Sequence, residues 1–181
     1  HYYVDKTGFA LRLISEGKHY FLSRPRRFGK SLFLDTLAEL FEGNEPLFRG
    51  LYCHSRWDWS VTYPVIRLNL GLRQLQSPAE LSRHLNQQLL VNRQQLEVEA
   101  DDEVPAEYLQ KLITAAHARY GQRVVVLVDE YDKPILDHLA EPELARVMRD
   151  QLRDIYSVLK GSDAHLKFVF LTGVSKFSKV S

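Results

Sequence analysis

Arg24-Pro25-Arg26-Arg27-Phe28-Gly29-Lys30-Ser31, together with Val124-Val125-Val126-Leu127-Val128-Asp129-Glu130 much later in the chain, decides the fold. The first stretch is a glycine-bearing turn entering a helix, and such a turn aims backbone N–H groups at an anion. In that setting Lys30 reaches the β- and γ-phosphates of a nucleotide, and the Ser31 hydroxyl ligates magnesium. The second stretch is an unbroken apolar run, the signature of a strand buried on both faces, which delivers Asp129 at its carboxyl end as a magnesium ligand. Glu130 follows, placed to orient or deprotonate an attacking water. In open α/β sheets ligands sit beyond the carboxyl ends of the strands, so the two stretches form halves of one nucleoside triphosphate site.

Arg24 stands where the usual GxxxxGK[ST] pattern has its first glycine. The departure is small in energy. A non-glycine residue at positive φ costs roughly 1–2 kcal/mol, against about 8 kcal/mol for micromolar nucleotide binding. A solvated basic turn before a helix is the competing reading of RPRRFGKS, and the Asp-Glu strand argues against it.

The chain has 181 residues, 45% hydrophobic content and a formal net charge of +1. These values describe a single domain over residues 1–181, large enough to bury roughly 70% of its unfolded surface. Near-neutrality removes any whole-domain attraction to nucleic acid or anionic membrane. Cys53 is the only cysteine, which excludes an internal disulfide and suits a reducing cytoplasm. No apolar run has the length of a membrane span. The chain starts at His1 and stops at Ser181, and both ends read as cuts in a longer protein.

Working outward, the pattern alternates between strand and helix. Residues 2–17 form an entry turn and short helix, and residues 19–23 a strand feeding the phosphate loop. From Lys30, Phe33, Leu34, Leu37, Leu40 and Phe41 recur at helical spacing up to Gly43. Residues 65–70 alternate, with Ile66, Leu68 and Leu70 opposite Arg67 and Asn69, as an edge strand does. Ser77-Pro78-Ala79-Glu80 is a capping box for a helix with the stripe Leu81, Leu85 and Leu89. Residues 97–103 read as a solvated acidic connection, residues 105–120 as a helix stopped by Gly121. After Pro142 a long amphipathic helix runs to Gly161, and residues 167–172 form the last strand.

Strands joined by helical crossovers imply a mainly parallel sheet with right-handed connections and helices on both faces, an α/β three-layer sandwich. The expected order sets the strands at His19, Lys167 and Val124 side by side, with the one at Val65 outside the last. Thr172 then ends the strand between the phosphate-loop strand and the Asp129 strand. Either it faces the γ-phosphate and the attacking water, or it simply closes its strand before Gly173.

Tyr3-Val4-Asp5-Lys6-Thr7, the RPRRFGKS loop, Tyr63-Pro64-Val65-Ile66, Val128-Asp129-Glu130-Tyr131-Asp132-Lys133-Pro134-Ile135 and Thr172-Gly173-Val174-Ser175-Lys176-Phe177 resemble the AAA-ATPase-like domain of uncharacterised bacterial proteins. The resemblance spans essentially the whole chain. It implies a P-loop NTPase fold with ATP and Mg²⁺ as cofactors, and often a following nuclease-like domain of the PD-(D/E)XK type, through which any nucleic acid would be engaged. The family's arginine-rich loop carries the same replacement of the first glycine.

The resulting expectation is in-line hydrolysis of ATP. Pro25, Arg26, Arg27, Phe28, Gly29, Lys30 and Ser31 bind nucleotide, Ser31 and Asp129 hold the metal, and Lys30, Glu130 and Thr172 act on the reaction. One of Arg26 and Arg27 is expected on phosphate, the alternative being solvated loop charge. Glu130 directly after Asp129 favours activation of water over a kinase's second substrate. No activating arginine is identifiable, so turnover should be slow unless self-association or a C-terminal domain supplies one. The alternatives are a nucleotide-dependent switch with little turnover, and a nucleic-acid contact through RPRR with steep salt dependence. Phe48, Tyr52, Trp57, Trp59 and Tyr63 fit core packing or a partner surface better than base stacking. Lys133-Pro134 should turn the chain out of the site, and Lys176 and Lys179 are read as solvated. Seven histidines without ligand spacing argue against zinc, and the lack of GxGxxG after a strand argues against a dinucleotide enzyme.

Overall fold

A computed structural model describes residues 4–23 and 29–174. Its four strands, β1 (His19–Ser23), β2 (Val65–Asn69), β3 (Val124–Asp129) and β4 (Leu166–Gly173), form one all-parallel sheet in the order β1-β4-β3-β2. This is the order expected from the sequence, with β2 at the edge. The helices are α1 (Thr7–Glu16), α2 (Lys30–Phe41), α3 (Pro78–Leu96), α4 (Pro105–Tyr120), the single turn α5 (Lys133–Leu136) and α6 (Pro142–Gly161). Helices cover both faces, as in a P-loop NTPase-like sandwich.

Strand alternation sorts the core into two clusters. Ile66, Leu68, Val124, Val126 and Val128 pack with α3, α4 and α6. Val65, Val125, Leu127, Phe168 and Phe170 face α2 and α1. Four aromatic residues of the connection between α2 and β2, Phe48, Trp57, Trp59 and Tyr63, belong to this second cluster or pack against it, and Tyr52 does not. Trp57 and Tyr63 each meet the Phe41 ring edge-on at 5.6 Å, and Phe48 lies 5.3 Å from Trp59. Of this group only Tyr52 is well exposed, under the Arg56 guanidinium at 3.8 Å.

Edge strand β2 is closed by side chains instead of a further strand. The Asn92 amide accepts from Arg67 N at 2.9 Å and donates to Arg67 O at 2.8 Å. One helical turn earlier, the Gln88 amide accepts from Asn69 N at 2.6 Å and donates to Asn69 O at 2.7 Å. The two periods match. Four helical residues advance about 6 Å and two strand residues about 6.6 Å, so i, i+4 amides meet i, i+2 peptides.

The Ser77 cap forms as expected. Its hydroxyl accepts from Glu80 N at 3.1 Å, while the Glu80 carboxylate reaches back to Gln76 N at 2.7 Å. Gly121 ends α4 at φ 67°, a conformation that glycine adopts without strain. Two expectations are corrected. Residues 97–103 are not uniformly solvated, because Val98 is buried in the aliphatic cluster and Asp102 pairs with Lys111 at 2.7 Å. Lys133-Pro134 does not simply lead the chain away but starts α5, where Lys133 Nζ meets Asp137 Oδ2 at 2.5 Å one turn later. Among the described residues no helix is long and apolar enough to cross a membrane.

Candidate nucleotide site

The carboxyl ends of β3 and β4 and the start of α2 converge on one spot. Gly29 enters α2 in the left-handed region at φ 73°, which lets the chain swing directly into the helix. Lys30 and Ser31 occupy the first turn. Because Asp129 shares the strand alternation of Val125 and Leu127, its side chain lies on the α2 face of the sheet, and there Ser31 Oγ donates to Asp129 Oδ2 at 2.5 Å.

The other carboxylate oxygen is also engaged. Thr172 Oγ1 donates to Asp129 Oδ1 at 2.6 Å and accepts from Glu130 N at 3.1 Å. Thr172 is 0% exposed and Asp129 5%. One buried hydroxyl therefore fixes both the Asp129 carboxylate and the peptide leading into Glu130. Tyr131 N donates to Thr172 O at 2.8 Å, which ties the same turn to β4 a second time.

Glu130 itself has φ 55°. For a non-glycine residue this left-handed conformation costs roughly 1–2 kcal/mol, and the surrounding bonds hold it. Its side chain rests on Gly71, where a Cβ would fall 2.6 Å from Glu130 Cγ. Gly71 N is in turn held by Asn69 Oδ1 at 2.8 Å. The carboxylate that follows the buried Asp129 is thus partly exposed at the sheet's rim and backed by the end of β2.

Lys30, 5% exposed, donates from Nζ to Gly173 O at 2.9 Å. Gly173 is also confined, since a Cβ there would fall 2.5 Å from Phe21 Cζ and 2.8 Å from Asp132 Cγ. Asp132 is buried and its carboxylate accepts from Val174 N at 3.2 Å. Behind the turn, Tyr131 is fully buried and its hydroxyl donates to Leu152 O of α6. Burial, with a lesser push from Tyr156, raises the Tyr131 phenol far above its ordinary range.

Lys30, Ser31, Asp129, Glu130 and Thr172 thus come together from three separate elements. Arg24, Pro25, Arg26, Arg27 and Phe28 lie outside the described residues, as do Lys176 and Lys179. Sequence reasoning missed Gly71, Asp132 and Gly173 as parts of the site. Glycine directly after each of the strands read from sequence at 65–70 and 167–172 was the available signal for Gly71 and Gly173.

A family model described as "Predicted AAA-ATPase" matches residues 1–181. The chain belongs to this AAA-ATPase-like family. A relative from Azotobacter chroococcum mcd 1, described as an uncharacterized protein in the vnfD 5′ region, is 60% identical over 181 residues, which is all of this chain and 35% of the relative. The chain therefore spans about a third of that protein's length. No solved structure gives a significant match. The AAA-ATPase-like assignment agrees with the four-stranded parallel sandwich seen here.

Proposed function

We propose that this domain binds ATP with magnesium, hydrolyses it slowly in the cytoplasm, and through the bound nucleotide regulates an attached effector. The observation that carries this reading is the contact between Ser31 and Asp129, a hydroxyl and a carboxylate 98 residues apart held at 2.5 Å. Both are hard oxygen donors of the kind magnesium takes, and they meet at the entrance of a twelve-residue helix whose N–H groups suit phosphate. When bound, magnesium supplies charge neutralisation at the phosphate oxygens.

The chain's own residues do the rest. Lys30 holds terminal phosphate charge, Glu130 orients and deprotonates the attacking water, and Thr172 positions both carboxylates without touching substrate. Arg26 or Arg27 adds a guanidinium to the phosphates. An arginine from a second copy or from a C-terminal domain accelerates the slow basal reaction, so turnover per molecule rises with protein concentration. An effector fits the length of the Azotobacter relative, of which this chain spans 35%.

The bond from Lys30 to Gly173 O favours a second reading, a switch. Nucleotide must draw Lys30 away from the end of β4, so that end registers whether the site is filled. Calorimetric titration with Mg-ATP tests the main reading. Lys30→Ala should weaken binding about a hundredfold. Glu130→Gln should keep binding and lower turnover by about 10²-fold or more. Absence of heat with the wild-type protein overturns nucleotide binding, and undiminished turnover in Glu130→Gln removes the assigned base. Effector output that persists in ATP-bound Glu130→Gln selects the switch.

A further inference from the structure

Asp5-Lys6-Thr7 has no part in the site described above, yet its geometry presents a charge there. The Asp5 carboxylate turns inward: Oδ1 accepts from Thr7 N at 2.9 Å and Thr7 Oγ1 at 2.6 Å, and Oδ2 accepts from Tyr52 N at 2.8 Å. Burial pushes the Asp5 carboxyl up, but the bonds from Thr7 and Tyr52 outweigh it and hold the group below its ordinary value. Thr7, fully buried, accepts in turn from Cys53 N at 3.1 Å. The start of α1 is thereby pinned to the connection that follows α2. Lys6, between the two anchors, remains exposed; its carbonyl accepts from Ala10 N at 3.1 Å, while its side chain makes no hydrogen bond or ion pair among the described residues. Its ammonium lies beside Gly29 at the start of α2, where a Cβ on Gly29 would meet Lys6 Nζ at 3.8 Å.

An ammonium beside the left-handed glycine that opens α2 adds its charge where the N–H groups of that helix favour an anion. The neighbouring carboxylate does not neutralise it by contact, because Asp5 is occupied by backbone and hydroxyl donors. We propose that Lys6 is a second phosphate-binding lysine of the nucleotide site, closing over the polyphosphate from the α1 side while Lys30 holds it from within α2. This rests on the nucleotide-binding reading above. Lys6 recognises charge on the polyphosphate and not the base, so it contributes to ATP, ADP and inorganic tripolyphosphate alike.

The test is calorimetric titration of wild type, Lys6→Gln and Lys6→Arg with Mg-ATP, Mg-ADP and inorganic tripolyphosphate at low and high salt. Lys6→Gln should bind each about tenfold more weakly, with a shallower salt dependence. Lys6→Arg should stay within about threefold of wild type, because charge is retained. Both variants should melt at the wild-type temperature without ligand, since the Lys6 side chain has no bond to lose and the backbone bond from Ala10 N is kept. Wild-type binding of Mg-ATP that Lys6→Gln leaves unchanged overturns the role of Lys6 alone. Wild type that binds neither Mg-ATP nor tripolyphosphate overturns both this role and the nucleotide reading. A variant that loses affinity only together with its melting temperature marks Lys6 as structural and overturns the proposal as well.

Discussion

On one side of the sheet Ile66, Leu68, Val124, Val126 and Val128 meet three helices through aliphatic contacts, whereas on the other Phe168 and Phe170 stack on each other and meet Phe33, Phe41 and Tyr20 at tilted angles. The aliphatic side is closed by α3, α4 and α6, each at least sixteen residues long. Among the described residues, α1, α2 and an irregular connection close the aromatic side. Wide rings there fill the volume that helices fill opposite. Because Lys30 and Ser31 ride on α2, the aromatic side sets where their side chains reach, and the aliphatic side serves as the base of the sheet beneath them.

The strongest way to break this contrast is to empty each side in turn. Phe41→Ala should cost about 3–5 kcal/mol and Leu112→Ala about 2–5 kcal/mol in urea unfolding. Where both variants remain folded, only Phe41→Ala should weaken Mg-ATP binding. Equal weakening by Leu112→Ala would show that the two sides do not divide the work.

Thr172→Val sharpens the contrast at the site itself, by removing the hydroxyl that joins Asp129 to Glu130 N. It should cost about 1–3 kcal/mol, since a buried N–H loses its acceptor. The magnesium concentration for half-maximal nucleotide binding should rise, which a titration at fixed ATP reads directly.

Tyr131→Phe probes the aliphatic side. The folded-state phenol titrates far above its ordinary value of 10.0, chiefly through burial. A raised value stabilises the folded protein fully below the unfolded-state value and progressively less as pH climbs past it. Wild type should therefore lose stability above pH 10.0, and the variant should lose less over that window. At neutral pH the change should cost about 1 kcal/mol, from the bond to Leu152 O. Identical alkaline slopes would remove Tyr131 from the account. The smallest effect belongs to Asp35→Asn, which breaks an exposed pair with Arg67 at 2.7 Å. It should shift stability by less than about 1 kcal/mol.

The strand order was legible because it follows from local facts. An unbroken apolar run marks β3 as central and the alternation around Arg67 marks β2 as an edge. Helix ends were legible where Gly43, Gly121 and Ser77 carry the signal. What stayed hidden is contact between distant residues. His84, Gln88 and Asn92 share one stripe of α3 that looks like any solvated face, and only docking against β2 gives it work. His117 and His165 lie 48 positions apart, so no spacing rule foretold their 2.8 Å contact. The meeting of Ser31 with Asp129 was foreseen from chemistry, whereas the resting of Glu130 on Gly71 depends on a left-handed backbone that composition does not reveal.

The paired amides along β2 carry a consequence for how the chain reaches this state. A parallel edge with bare peptide groups is a template for any extended segment nearby. Until the Asn92 and Gln88 side chains arrive, a nascent molecule presents that template to its neighbours. Docking of α3 is thus the step that closes this edge, and a substitution that slows it should lower soluble yield even where the finished protein is unharmed.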